Sequence, residues 1–76
     1  MNSLLNLACL ANNPEAIPIL LNIGINPLIK NRDGYNCLHI CDYLNNYCCA
    51  GIILSKYEDL EKPEKIYYNF NYNIIL

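Results

Sequence analysis

The chain repeats itself at an interval of 33 residues. Leu5-Asn6-Leu7-Ala8-Cys9 is answered by Leu38-His39-Ile40-Cys41-Asp42, and the same interval carries Ile19-Leu20-Leu21 onto Ile52-Ile53-Leu54. Asn13 falls on Asn46 and Asn26 on Asp59. One interval that aligns several apolar positions marks two copies of one supersecondary unit. A unit of this size cannot bury its apolar face alone, so the copies are expected to stack and share a core.

Inside each copy the apolar spacing is helical. Leu4, Leu7, Ala8 and Ala11 follow i, i+3, i+4, i+7, one face of a short helix. Asn13-Pro14-Glu15 then reads as a second helix start. Asn caps free amides, Pro suits the first helical position, and Glu complements the positive helix end. Ile17, Leu20 and Leu21 continue the stripe, and Gly24 supplies a left-handed stop. Pro18 falls about one turn inside, where its ring meets the Pro14 carbonyl, so this helix is expected to be kinked or short. Asn31-Arg32-Asp33-Gly34 predicts a tight turn, because Asp-Gly favours positive φ. A second helix pair is expected over about Cys37–Leu44 and Tyr47–Lys56, the latter weakened by about 1 kcal/mol at Gly51. Beyond Lys62-Pro63, Tyr68, Phe70, Tyr72, Ile74 and Leu76 share one parity and Asn69, Asn71 and Asn73 the other. That alternation predicts a strand, or else an irregular end.

A chain of 76 residues holds one domain at most. It buries only about 60–65% of the surface its unfolded form exposes, which leaves little room for a deep catalytic cleft. Hydrophobic residues at 54% and charged residues at 16% exclude a charged disordered tail. A net charge of −2 offers no basic footprint for nucleic acid. No apolar run reaches the roughly 18 residues of a membrane span, so no membrane partner is expected. The first residues show neither a basic n-region nor a small-residue cleavage pattern, so no secretory signal is expected. The five cysteines are then expected to be reduced, in an intracellular, cytoplasmic setting.

Asp33-Gly34-Tyr35-Asn36-Cys37-Leu38-His39-Ile40-Cys41 resembles the D-G-x-T-P-L-H-L-A stretch of the ankyrin repeat family. In the first unit, Ile19-Leu20-Leu21-Asn22-Ile23-Gly24-Ile25-Asn26-Pro27 resembles that family's L-L-L-x-x-G-A-D-P. The resemblance covers about residues 3–60, two repeats of approximately 1–30 and 31–60, with residues 61–76 as a C-terminal tail. It implies an all-α, ankyrin-like helical-repeat solenoid fragment, each unit a β-turn and two antiparallel helices. It also implies non-catalytic protein binding through the turn tips and the inner helix face. Carried onto this chain, those positions are Arg32, Asp33 and Tyr35 on the turn and Tyr43 and Leu44 on the inner helix. Leu10 and Ala11 are their first-unit equivalents. Tyr and Arg are frequent hot-spot residues, which puts Arg32, Tyr35 and Tyr43 foremost. The chain departs from the pattern at Asn36-Cys37, where the family has Thr-Pro, at Asn6 in place of the first His, and at Tyr57 in place of the second stop glycine. Two units, where three or more are usual, leave room for a remnant, a capping piece or fragment of a longer array, or a module completed by a partner.

His39 is the only histidine, and the resemblance implies that its imidazole hydrogen-bonds within the repeat. Cys37, His39, Cys41, Cys48 and Cys49 invite a zinc reading, with Cys37 and Cys41 one helical turn apart. Against it, Cys41 and Cys49 are the equivalents of Ala8 and Ala16, where a thiol fills a core as a small hydrophobe. Cys48 is the equivalent of Glu15 and is expected to be exposed and oxidisable. A single His provides no Ser/His/Asp set, and glycines isolated at 24, 34 and 51 make no phosphate loop. No metal, cofactor, small-molecule substrate or catalysis is therefore expected.

Overall fold

A computed structural model describes residues 3–67. Four helices, α1 (Leu4–Leu10), α2 (Ala16–Asn22), α3 (Cys37–Leu44) and α4 (Tyr47–Lys56), are followed by a helical turn over residues 64–67. No strand occurs among the described residues, and the alternating stretch 68–76 lies outside them. The first part of the expected irregular tail is thus helical.

The 33-residue interval extends to the helix ends. Ser3 caps α1, its Oγ accepting from the Asn6 amide at 3.0 Å. Asn36, 33 positions later, caps α3, its Oδ1 accepting from the Leu38 and His39 amides at 3.0 and 3.1 Å. The stops match as well: Asn12 follows α1 at φ 51° and Asn45 follows α3 at φ 60°. Asparagine enters the left-handed region more readily than other non-glycine residues because its short amide bonds locally. His39 Nδ1 accepts from the Asn36 amide at 3.1 Å and so completes a capping box usually closed by Glu or Gln.

The second helix of the first unit departs from expectation in its start. The Asn13 side chain makes no cap; instead the Asn13 and Pro14 carbonyls accept from the Ala16 and Ile17 amides at 3.3 Å. α2 therefore begins at Ala16, and Pro18 is its third residue. Amides of the first turn have no intrahelical acceptor, so proline displaces no bond there. The helix is short, at 7 residues, and ends before Gly24 at φ 93°. Tyr57 stands at the equivalent place after α4 with φ −128°, so the second unit stops without a left-handed residue.

α1 pairs with α2 and α3 with α4, and the two hairpins stack with α1 on α3 and α2 on α4. Leu5, Ile17, Leu38 and Ile53 form the seam together with Cys9, Cys37, Cys41 and Cys49, all fully buried. Asn46 Nδ2 donates to the Cys9 carbonyl at 2.8 Å and ties the second hairpin to the first. The turn at 64–67 then occupies the place of a further layer. Ile66 is fully buried, and its amide donates to Asp42 Oδ1 at 2.9 Å. Asp42 is the 33-residue equivalent of Cys9, whose thiol meets those of Cys37 and Cys41 on α3.

The capping box makes a measurable claim. His39→Ala removes the acceptor for the Asn36 amide and should destabilise the fold by about 1 kcal/mol, a fall of roughly 4–8 °C in Tm. His39→Gln should recover most of that loss. Thermal melts followed by circular dichroism compare the three chains, and equal melting of the Gln and Ala variants would refute the box.

Candidate functional site

The turn before α3 is closed by one side chain. Asn31 Oδ1 accepts from the Asp33 and Tyr35 amides, each at 3.0 Å. The Asn31 backbone accepts from Gly34 at 3.0 Å and donates to the Tyr35 carbonyl at 2.8 Å. Gly34 has φ 86°, and no atom lies within 4 Å of where a Cβ would stand. A larger residue there is disfavoured by backbone conformation, not by crowding.

This turn, α3 and the helical turn at 64–67 enclose a groove of about 670 Å³. Tyr35, Tyr43, Leu44 and Ile40 supply much of its lining, with Leu10 reaching in from α1 and Lys65 from the last turn. Tyr35 is 53% exposed and Tyr43 81%. The ring of Tyr35 lies 5.9 Å from that of His39, tilted at 59°. The Asn36 amide holds His39 in turn.

Of the residues expected to bind, Tyr35, Tyr43 and Leu44 come together in this groove, and Leu10 joins them as the first-unit equivalent. Arg32 and Asp33 are exposed at the turn tip and do not line it. Asp33 serves the turn through its backbone amide. Asp42 and Lys65 line the groove without having been expected there. Lys65 follows Pro63 and belongs to neither repeat, so no periodicity marks it. A second cleft, of about 550 Å³, lies between Leu28 and the 56–60 stretch and is walled by charged Lys56, Glu58 and Asp59.

The thiols lie elsewhere. None of the five cysteines is in a disulfide; Cys9, Cys37, Cys41 and Cys49 are buried and Cys48 is exposed. Cys37 Sγ donates to the Pro27 carbonyl at 3.4 Å. The Cys37 thiol is pushed well above its ordinary range, first by its contact with Cys9 and then by burial. At Cys9 the contact with Cys37 favours the thiolate, but the bond with Cys41 and burial outweigh it, and the thiol is also pushed up. Burial raises Cys49, assisted by the neighbouring Cys48. Thiolates, not thiols, bind metals and attack electrophiles, so these buried groups are poorly suited to either task. Among the described residues no three side chains of His, Cys, Asp or Glu gather as a metal site.

No family model and no solved structure matches this chain. Among the described residues no helix is long and apolar enough to cross a membrane.

The raised thiols bear on stability. In the unfolded chain they ionise near pH 8.5–9, whereas the folded chain keeps them protonated. The unfolded state then binds fewer protons above that pH, so stability is complete below it and falls as pH rises. Tm should begin to decline near pH 8.5 and go on falling as pH rises further. The decline should shrink in the Cys9→Ala/Cys37→Ala variant; calorimetry showing the same slope in both chains would refute this origin.

Proposed function

We propose that this chain is a non-catalytic protein-interaction module of ankyrin-repeat type that takes its partner in the Tyr35–Tyr43 groove. The observation that carries the reading is Tyr43, 81% exposed on the inner helix and lining the same groove as Tyr35. Tyrosines supply large contact area with few rotatable bonds, and here the capped helix and closed turn already fix their backbones. Arg32 and Asp33, at the turn tip, are the periphery of this surface, where truncation has smaller effects. The repeat interval in sequence, caps and stops supports the ankyrin-type reading, as does the stacking of one helix hairpin on the other. The absence of a catalytic set in the sequence supports a binding role, and an intracellular setting agrees with thiols that sit reduced in the core.

A second reading, a remnant or a capping piece of a larger array, is favoured by the bare apolar side chains of Leu4, Leu7 and Ile19 on the first hairpin. A direct test separates the two. Peptides selected from a display library against the immobilised chain are titrated by calorimetry against variants. Tyr43→Ala and Tyr35→Ala should each lose 2 kcal/mol or more, roughly thirtyfold in affinity, with an unchanged helical spectrum. Arg32→Ala and Asp33→Ala should lose less. Selection of no binder, or affinity indifferent to Tyr43, would remove the groove as the site.

A further inference from the structure

One wall of the groove belongs to the stretch of chain that leads out of the described structure. Lys65 lines the groove, and its Nζ donates to Asn45 Oδ1 at 3.4 Å, just past the end of α3. Ile66 is anchored by its buried side chain and by its amide on Asp42 Oδ1, and Asp42 lines the groove too. Tyr67 follows at 50% exposure, so the last described residue stands at the surface, two positions after a groove residue.

Residues 68–76 come next, and their sequence has the chemistry of the groove. Tyr68, Phe70 and Tyr72 alternate with Asn69, Asn71 and Asn73, and no charged side chain occurs among these nine residues. An extended segment sends alternate side chains to one face, which here is aromatic. The groove offers Leu10, Ile40 and Leu44 together with the rings of Tyr35 and Tyr43. Its volume of about 670 Å³ suits a few side chains, not a folded partner. Leu44 and His39 are five positions apart on α3. That is about 7.5 Å along the helix axis, a length that about three extended residues cover. Leu4, Leu7 and Ile19 are also exposed, but they stand on the first hairpin, whereas the groove has the 64–67 turn as a wall.

We propose that residues 68–76 occupy the Tyr35–Tyr43 groove of their own chain and must leave it before a partner enters. Tethering makes this contact easy to sustain. A short linker gives an effective concentration on the order of 1 mM, so a segment with an intrinsic Kd of about 0.1 mM fills the groove in about nine molecules of ten. The competition with a partner rests on the groove being a partner site; the occupancy does not.

Phe70 is the only phenylalanine, so ring labelling of phenylalanine in the full chain reports on this segment alone. Nuclear Overhauser contacts are expected from the Phe70 ring to methyl groups of Leu10, Ile40 or Leu44. Their absence would overturn the proposal, as would contacts to Leu4, Leu7 or Ile19 instead. Contacts that pass only between chains, in a mixture of labelled and unlabelled protein, would also overturn it. The groove-selected peptides supply the second measurement. They should bind the Phe70→Ser/Tyr72→Ser variant roughly tenfold more tightly than the native chain, because the groove is then open in most molecules. Equal affinity for the two chains would refute the competition. Peptides that need Tyr43 while Phe70 shows no groove contact leave the partner site standing without its occupant. Groove contacts from Phe70 with no Tyr43-dependent peptide leave the occupant standing without a partner site.

Discussion

The seam between α1 and α3 carries the structure. Helices of 7 and 8 residues are too short to persist alone in water, so each depends on tertiary contact. At the seam, Leu5 and Leu38 are fully buried beside Cys9, Cys37 and Cys41. Thiols are small enough to let the helices approach closely and apolar enough to favour burial. The groove depends on the same contact, because Leu10 enters it from α1 while Tyr43 and Leu44 enter from α3. Loosening the seam would dismantle both the core and the candidate binding surface.

Much of this was legible in the residue pattern. The apolar period placed α3 and α4 at their observed limits, and Gly24 and the Asn31–Gly34 turn stand where their chemistry indicates. The start of α2 was less legible. Asn13-Pro14-Glu15 has every mark of a cap, yet backbone turns fill that place and Pro18 slips into the first helical turn. Local propensity for a cap there yields to the need to accommodate proline. The stops at Asn12 and Asn45 were hidden for another reason: in an Asn-Asn pair, either residue can end one helix or begin the next.

The candidate site was legible only where it follows the repeat. Tyr35, Tyr43, Leu44 and Leu10 meet because α1 packs on α3 beside the 31–35 turn. Arg32 and Asp33 have the right chemistry but belong to the turn tip, outside the groove. Lys65 arrives through the docking of Ile66 on the core and of its amide on Asp42, long-range contacts that no local pattern announces.

The left-handed asparagines have a consequence beyond bending the chain. Asn12 Oδ1 accepts from Cys49 Sγ at 3.8 Å, and Asn45 Oδ1 accepts from Lys65 Nζ at 3.4 Å. Each side chain therefore reaches forward, from the corner of one layer to the layer that follows. Asn46 reaches backward to the Cys9 carbonyl. Glycine would adopt the same backbone angles at less strain, but it has no amide to extend. The corners thus act as clasps, and the succession of layers has a grain: acceptors hand forward, a donor hands back, and each bend holds its neighbour in register.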